Sequence, residues 1–325
     1  MPKSWSSPWF WRSETLAGRS IRAALTPAAF LYQIGYKTRI ALTKPAHASI
    51  PVICIGNATL GGTGKTPFAL LVAQLLKQEG VTPAFLTRGY GGAEQGPVLV
   101  DPDRHDADDV GDEALLLSKE AMTIVSRDRP AGAALAARKG AEAVIMDDGF
   151  QNPSLYKDLS VLLIGAENET PGTALFPAGP FREPLAEAKA RAQVTVAMGP
   201  EKNGADFCAW LEPVAPAPER VIAFAGIGRP EKFFTTLETA GYDLAQRIGF
   251  PDHHRFTPAE RRFLTREAKR EKARLICTEK DAVKLPAEFR EDLLILPVRM
   301  RVDDTPGLKR RLMSVIKGRR GERAK

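Results

Sequence analysis

One glycine-rich stretch of this chain has the residue types and spacing that bind a nucleotide phosphate. It consists of Thr59, Leu60, Gly61, Gly62, Thr63, Gly64, Lys65 and Thr66. Glycines let successive backbone N–H groups point at phosphate oxygens, Lys65 would neutralise the β- and γ-phosphates, and the Thr66 hydroxyl would bind Mg²⁺. The strict pattern G-x-x-x-x-G-K-[ST] has glycine where this chain has Thr59. A turn without a ligand is the alternative. We favour a phosphate loop because an apolar strand precedes it and an amphipathic helix follows.

Two adjacent carboxylates, Asp147 and Asp148, follow the apolar run 143–146. An aspartate at the end of a strand is often only a turn or a helix cap, but downstream of a phosphate loop it can hold Mg²⁺ directly or through water. We therefore predict a magnesium site here, and the sequence leaves open which of the two touches the metal. The string TEKD at 278–281 misses the guanine-reading pattern [NT]-K-x-D by one place, which favours ATP over GTP.

The elements that must position these groups alternate between strand and helix. An apolar run at 50–56 predicts a buried strand, and apolar residues at helical spacing predict a helix over 66–78, ended by Gly80. Further strands are predicted at 84–87, 98–100, 123–126, 143–146, 160–164 and 194–197, with helices at 113–120 and 131–139. This alternation indicates an α/β fold with a doubly wound parallel sheet of the P-loop NTPase type.

A second, smaller α/β domain is predicted after the segment 212–219, whose three prolines are typical of a linker. Its predicted strands are 221–225, 275–277 and 294–298, with a helix near 232–240. We expect four segments along the chain. They are an N-terminal amphipathic segment over 1–49 packed on the first domain, a phosphate-loop domain over 50–205, the smaller domain over 206–308 closing over the cleft, and a basic tail over 309–325.

Basic residues concentrate at the two ends of the chain. The formal net charge is +7, yet residues 1–50 carry seven basic and one acidic side chain, and 309–325 carry eight and one, so the middle is acidic. The run 23–36 is mostly apolar and contains Pro27, and it is too short to cross a bilayer as a helix. It fits either an amphipathic segment in a membrane interface or a helix docked on the protein's own core.

Several classes of protein are disfavoured by composition. The three cysteines are far apart and form no C-x-x-C pair, so neither a disulfide framework nor a cysteine zinc site is expected. No apolar run reaches the length of a membrane span, so we expect no transmembrane helix. The sequence has no recognised nucleic-acid-binding module, and we expect no nucleic-acid partner.

Eight short strings occur in an order that closely resembles the tetraacyldisaccharide 4′-kinase family of the lipid A pathway in Gram-negative bacteria. They are GNATLGGTGKTP (56–67), TRGYGG (87–92), VGDEA (110–114), DDGFQNP (147–153), LFPAGPFREPL (175–185), FAGIGRP (224–230), FPDHH (250–254) and TEKDAVKL (278–285). The resemblance runs from about residue 5 to 310, and the ordered set is specific although each string is short. Thr59 in place of the first glycine also fits the family string.

The resemblance implies an ATP- and Mg²⁺-dependent kinase that transfers the γ-phosphoryl group to the 4′-hydroxyl of a tetraacylated glucosamine disaccharide 1-phosphate. It implies a peripheral enzyme at the cytoplasmic face of the bacterial inner membrane, with its basic ends near anionic headgroups. The membrane-interface interpretation of the N-terminal segment therefore gains weight. We further expect a monomer. The alternative function is a soluble P-loop ATPase or a kinase of a small-molecule substrate, which would need no hydrophobic acceptor.

The resemblance points to Asp112 as the catalytic base and to His253 as its partner, with Lys65 at the phosphates. From spacing alone, Asp112 is better explained as the N-cap of a helix that begins at 113. His253 could be an ordinary loop histidine, and the neighbouring His254 could be the matching one. Because Asp112 and His253 lie in different predicted domains, their joint action requires the cleft to close.

Five polar residues match polar positions of the family strings and are expected to contact the substrate. They are Asn57, Arg88, Gln151, Arg182 and Glu183. Arg88 and Arg182 could each hold a phosphate bidentately, or each could form an ion pair within the fold. We assign no role to Lys280 or Lys284 from the sequence.

Overall fold

The computed structural model describes residues 8–11, 13–165, 174–214, 217–228 and 230–323, with side chains described through residue 319. A 3₁₀ turn spans Trp9–Trp11, and the helices are α1 Leu16–Leu42, α2 Lys65–Gln78, α3 Ala107–Val110, α4 Asp112–Ser118, α5 Arg129–Arg138, α6 Leu185–Arg191, α7 Pro230–Thr239, α8 Pro258–Glu271, α9 Glu279–Ala282, α10 Ala287–Arg290 and α11 Thr305–Arg323. The strands are β1 Val52–Asn57, β2 Pro83–Thr87, β3 Val98–Leu99, β4 Met122–Val125, β5 Ala143–Asp147, β6 Leu159–Gly165, β7 Val194–Met198, β8 Phe207–Pro213, β9 Arg220–Ala225, β10 Asp243–Gly249, β11 Arg274–Thr278, β12 Leu294–Leu296 and β13 Val298–Val302.

Nine strands form the larger sheet in the order β13-β8-β7-β6-β1-β5-β2-β4-β3. The inner strands run parallel, and the edge strands β3 and β13 run antiparallel to their neighbours. Strands β2, β4 and β5 lie on one side of β1 and β6 to β8 on the other, so the strand order reverses at β1. Ligands of doubly wound sheets bind at such a reversal, outside the carboxyl ends of the strands. The predicted doubly wound α/β sheet is confirmed.

Helices cover both faces of the larger sheet. On one face α2 and α11 pack against the strands, and Phe68, Val72 and Leu76 of α2 are fully buried there. On the other face α5 and α6 contribute Ala136 and Ala188 to a second apolar layer. Burial on both sides explains why β1 and β5 are apolar along almost their whole length and carry no alternating pattern.

The smaller sheet has four parallel strands in the order β10-β9-β11-β12. Helix α7 packs on one face through Phe233, Phe234 and Leu237, and α8 packs on the other through Leu264. These apolar layers are separate from those of the larger sheet. A second, smaller α/β unit is therefore present, as the sequence predicted.

The limits of the smaller sheet differ from the predicted domain boundaries at 206 and 308. Strands β8 and β13 pair with each other and belong to the larger sheet, so the smaller sheet takes its strands from 220–296 only. The predicted strand 294–298 is in fact the two strands β12 and β13, which lie in different sheets. Pro297 separates them, because a residue without an N–H cannot continue a ladder.

The C-terminal segment, which the sequence marked only as a basic tail, forms a helix on the larger sheet. Leu308, Leu312 and Ile316 recur every four residues along α11, and all three are fully buried. The Lys309 ammonium lies 3.0 Å from the carboxylate of Glu79, the residue that follows α2. The high density of basic residues concealed this apolar period in the sequence.

Helix α1 is longer than the apolar run 23–36 on which its prediction rested. It begins after Thr15, whose hydroxyl accepts a hydrogen bond from the Gly18 N–H, and it continues through Pro27. In the part of the chain that the structure describes, no helix is both long enough and apolar enough to cross a bilayer.

Candidate active site

The loop between β1 and α2 has an open glycine backbone at the carboxyl edge of the larger sheet. Gly61 has φ +116° and Gly64 has φ +83°, conformations that side chains with a Cβ rarely adopt. A Cβ on Gly61 or Gly62 would meet no atom within 4 Å, so space remains above this backbone. These two backbone conformations explain why the loop has glycine at positions 61 and 64. The open space above Gly61 and Gly62 is where a phosphate fits.

The beginning of the loop is closed by a second segment. The Leu60 N–H donates to the Pro180 carbonyl at 2.8 Å, and Thr59 forms an isolated bridge with Phe181. The Leu60 N–H is therefore engaged within the protein. The other N–H groups of the predicted binding stretch 59–66 remain candidates for phosphate contacts.

Lys65 is oriented by groups of its own loop. Its ammonium lies 3.2 Å from Asn57 Oδ1, 3.4 Å from the Gly61 carbonyl and 3.7 Å from Asp148 Oδ1. Asn57 is fully buried, and its amide donates to Thr63 Oγ1 at 2.6 Å. Asn57, predicted as a substrate contact, thus organises the phosphate loop from below.

Thr66 and Asp147 form the arrangement expected for a divalent cation. The Thr66 hydroxyl donates to Asp147 Oδ2 at 3.0 Å, while the buried Oδ1 has no hydrogen-bond partner among the described residues. Burial raises the pKa of Asp147, and the charges of Glu113 and Asp148 raise it further. A buried carboxylate oxygen that has no hydrogen-bond partner and lies near other negative charges is suited to bind Mg²⁺. We call Lys65, Thr66 and Asp147 the phosphate site.

Asp148 has a different partner. Arg182 binds it with two hydrogen bonds, 2.9 Å to Oδ1 and 3.1 Å to Oδ2. Desolvation in the cleft raises the pKa of Asp148, but Lys65 and Arg182 outweigh it and hold that pKa well below its usual range. Asp148 therefore forms an ion pair of the fold, and the geometry places Asp147 alone of the two at the Thr66 hydroxyl.

The remaining predicted substrate residues divide into a network and one exposed side chain. Gln151 donates to the Asn57 carbonyl at 2.7 Å and to Glu183 Oε1 at 3.0 Å, and the buried Glu183 also pairs with Arg191. Arg88 directly follows β2, is exposed, and has no hydrogen-bond or ion-pair partner within the described ranges. Arg88 is thus the predicted residue whose donors stay available for a ligand.

Asp112 and His253 meet although they are 141 residues apart. His253 Nδ1 lies 3.1 Å from Asp112 Oδ1 and 3.0 Å from Oδ2, and the aspartate side chain is only 4% exposed. The N-cap of α4 is Gly111, so Asp112 is the first helical residue and not the cap, although its Oδ1 also accepts from the Glu113 N–H. One partner comes from the larger-sheet unit and the other from the loop after β10.

Lys280 is a member of this cluster that sequence reasoning missed. Its ammonium lies 3.3 Å from His253 Nε2, 3.3 Å from Glu113 Oε1 and 3.9 Å from Asp112 Oδ2. Burial raises the pKa of Asp112, but the His253 hydrogen bond and the Lys280 charge outweigh it, so this pKa lies below its usual value. We call Asp112, His253 and Lys280 the base cluster. The only signal in the sequence was the position of Lys280 in a family string.

His254, the alternative to His253, faces elsewhere. Its Nε2 lies 3.1 Å from both carboxylate oxygens of Glu260, and its ring stacks on Phe250 at 4.8 Å between centroids. Glu260 also completes the capping box that begins α8 at Thr257. These contacts make His254 part of the local structure of the smaller unit.

Helix α1 reaches the site directly. Gln33 donates to the Arg182 carbonyl at 2.9 Å, and Arg39 donates to the Gln151 carbonyl at 2.8 Å. Upstream, the Trp11 indole donates to the Pro177 carbonyl at 3.0 Å. The N-terminal segment is thereby fixed to the same loops that border the phosphate site.

Comparisons with known proteins agree on one family. The family model described as LpxK, tetraacyldisaccharide-1-P 4′-kinase, matches residues 21–317. A tetraacyldisaccharide 4′-kinase of Rhodospirillum centenum is 43% identical over 328 residues, which cover 96% of this chain and 97% of that protein. Another, of Methylorubrum populi, is 46% identical over 308 residues, covering 90% and 94%.

A solved structure is similar over nearly the same span. It is the crystal structure of an apo form of LpxK from Aquifex aeolicus in complex with ATP, with a TM-score of 0.75 and 29% sequence identity. The match covers 91% of this chain and 99% of that one.

Proposed function

This chain belongs to the tetraacyldisaccharide 4′-kinase family, and from that premise we propose that it transfers the γ-phosphoryl group of ATP to the 4′-hydroxyl of a tetraacylated glucosamine disaccharide 1-phosphate, a lipid A precursor. The observation that carries the proposal is that the phosphate site and the base cluster lie next to each other. Helix α4, which begins at Asp112, contacts helix α2, which begins with Lys65 and Thr66 of the phosphate site. Phosphoryl transfer requires charge neutralisation and proton removal at one place, and this neighbourhood supplies both.

The phosphate site is proposed to hold ATP. The backbone N–H groups of 61–66 face the phosphates, and Lys65 exchanges its contacts with Asn57 and Gly61 for phosphate oxygens. Thr66 and Asp147 would hold Mg²⁺, which when bound neutralises charge on the phosphates. Because Mg²⁺ prefers a few protein oxygens together with phosphates and water, two ligands from this chain are sufficient.

The base cluster is proposed to remove the proton of the acceptor. The Asp112 carboxylate takes the proton of the 4′-hydroxyl, and that oxygen bonds to the γ-phosphorus. The bond from the γ-phosphorus to the β,γ-bridging oxygen breaks, and ADP leaves with the bonding electron pair. The lowered pKa of Asp112 keeps it ionised at neutral pH, and His253 orients it.

Arg88 is proposed to contact a phosphate of the substrate, because it is exposed at the carboxyl edge of β2 and its guanidinium has five donors. Asn57, Gln151, Arg182 and Glu183 are proposed to shape the acceptor pocket through the contacts described above. In this arrangement their hydrogen bonds hold the loops, and substrate contacts are secondary.

Helix α1 is proposed to lie against the cytoplasmic surface of the inner membrane. Its buried face contains Gln33 and Tyr36, while large apolar side chains on other positions are exposed. The most exposed are Leu16 at 82%, Phe30 at 66%, Leu31 at 68% and Leu42 at 79%. Exposed apolar surface of this kind is typical of membrane contact, and the same helix borders the acceptor site.

Transfer of radiolabelled γ-phosphate from ATP to an acylated disaccharide 1-phosphate in mixed micelles tests the proposed activity. We expect labelled lipid with the wild type and a strong loss with Asp112→Ala. Steady ATP hydrolysis without labelled lipid would contradict the proposal and favour the soluble ATPase alternative.

Sedimentation with vesicles of phosphatidylethanolamine and phosphatidylglycerol tests the membrane contact separately. The double variant Phe30→Ser/Leu31→Ser should bind vesicles at least about tenfold more weakly than the wild type. Phe263→Ser, which removes a 38% exposed ring from α8, is the matched control and should bind normally. Equal binding of all three proteins would exclude α1 as the contact.

A further inference from the structure

In the account above Lys280 contributes only its charge, yet it contacts both other members of the base cluster. It lies on α9 in the smaller-sheet unit, and its side chain is 22% exposed. Three carboxylates surround its ammonium: Glu113 at 3.3 Å, Asp252 at 3.8 Å and Asp112 at 3.9 Å. Its remaining contact, 3.3 Å to His253 Nε2, involves no carboxylate.

The contact between Lys280 and His253 restricts where the imidazole proton can be. An ammonium has three N–H donors and no acceptor, so a hydrogen bond between the two requires a lone pair on Nε2. A proton on Nε2 would instead set two donors against each other. The single proton of a neutral imidazole must then lie on Nδ1, the atom that faces Asp112 at 3.0 Å.

We propose that Lys280 is a positioning residue that fixes His253 as the neutral tautomer protonated on Nδ1, so that the imidazole donates to Asp112. This inference rests on the proposed function, in which Asp112 accepts the proton of the acceptor. A neutral donor orients the carboxylate and leaves its negative charge intact, whereas an imidazolium would weaken it as a base.

The charges around His253 show why such a residue is needed. From α4 come Asp112 and Glu113, from the histidine's own loop Asp252, from α9 Lys280, and from the loop after β2 the Tyr90 ring, 5.3 Å away between centroids. Asp252 Oδ2 itself lies 3.8 Å from His253 Nε2. Without Lys280 these carboxylates would favour protonation of Nε2, because opposite charges stabilise the charged form of a histidine.

Lys284 cannot replace Lys280. Its ammonium is buried at 2.6 Å from Asp281 and donates to the Gly226 carbonyl at 3.2 Å. These contacts hold it inside the smaller unit, one helical turn beyond the cluster. Lys280 is thus the lysine that contacts the imidazole directly.

Nitrogen-15 spectra of labelled histidine side chains test the tautomer without any need for activity. The chain has four histidines, and His253→Gln identifies the signal of interest by its loss. At neutral pH we expect His253 of the wild type to be protonated on Nδ1 only. In Lys280→Met the same signal should change to the charged imidazolium, protonated on both Nδ1 and Nε2. Lys309→Met, which removes a lysine from α11, should leave it unchanged.

Protonation of His253 on Nε2 in the wild type would overturn the inference whatever the variants do, and so would an unchanged signal in Lys280→Met. Failure of the proposed function would appear as absent lipid phosphorylation and leave these spectra unaffected. The two failures are therefore distinguishable.

The pH profile of kcat/KM gives an independent readout. In Lys280→Met a protonated His253 must first lose its proton, so the acid limb should move to higher pH by about one unit. Lys280→Arg keeps a hydrogen-bond donor beside His253, so its acid limb should move by no more than about half as much as in Lys280→Met. A uniform loss of activity in Lys280→Met, with no displacement of the limb, would contradict the positioning role.

Discussion

The phosphate site and the base cluster are assembled in opposite ways. Lys65 and Thr66 of the phosphate site lie in one short string, and Asp147 ends the strand that pairs with β1. The base cluster joins Asp112, His253 and Lys280, which come from three separate segments and from the units of both sheets. All residues of the phosphate site therefore belong to the unit of the larger sheet. The base cluster, in contrast, exists only when the two units are in contact.

This difference separates two parts of the function. Binding of ATP should depend on the phosphate site and survive damage to the base cluster. Transfer to an acceptor should depend on both. Variants of the phosphate site and of the base cluster should therefore differ in whether they impair ATP binding, transfer or both.

Replacement of Lys65 should cause the largest loss. Lys65→Ala removes the cation that we propose to contact the phosphates, and we expect kcat for lipid phosphorylation to fall by about 10³-fold or more, with weaker ATP binding. Radiolabel transfer and ATP titration measure the two effects. Lys77→Ala, at the far end of the same helix, is the control and should be nearly normal. Unchanged ATP affinity in Lys65→Ala would place the nucleotide elsewhere.

Replacement of Asp112 should impair transfer and spare ATP binding. Asp112→Asn keeps the size of the side chain and removes the base, so we expect kcat to fall by about 10²- to 10³-fold with the Kd for ATP within about twofold. Single-turnover transfer and ATP titration provide the comparison. A large loss of ATP affinity would show that the base cluster is part of the nucleotide site.

Asp147 should determine the requirement for Mg²⁺. Asp147→Asn retains an acceptor for the Thr66 hydroxyl and removes the negative charge, so the Mg²⁺ concentration for half-maximal rate should rise by about tenfold. A Mg²⁺ titration at saturating ATP measures this. An unchanged requirement would assign the metal to other oxygens. Asp148→Asn should instead act on the Arg182 ion pair.

The two adjacent histidines should differ most clearly in a paired comparison. His253→Gln should lower kcat by about tenfold, because only the orientation of Asp112 is lost. His254→Gln should change kcat by less than about twofold and lower thermal stability slightly, since it breaks the contact with Glu260. The opposite order of effects on kcat would reverse the assignment.

The strand, loop and helix that form the phosphate site could be predicted from the sequence for a physical reason. Glycine adopts positive φ far more readily than other residues, so Gly61 and Gly64 indicate the loop directly in the sequence. The strand before it is a continuous apolar run, and the helix after it has apolar residues at helical spacing. The closure of Leu60 onto Pro180 could not be predicted, since it joins segments far apart in the chain.

The base cluster and the limits of the two domains could be identified only from the three-dimensional structure. Lys280 meets His253 through the docking of two units, and no local pattern of residues encodes such a contact. In the sequence β12 and β13 look like one apolar run, because only a single proline separates them. The two strands nevertheless lie in different sheets. In α11 the period of Leu308, Leu312 and Ile316 was present in the sequence but concealed by its charges.

A double-variant comparison tests most directly whether Asp112 and His253 act as one unit across the two sheets. The rate of lipid phosphorylation would be measured for Asp112→Asn, His253→Gln and the variant carrying both. If His253 acts only through Asp112, the double variant should match Asp112→Asn within about twofold. If the two losses multiply, His253 has a function independent of Asp112, and the base cluster as described here is wrong.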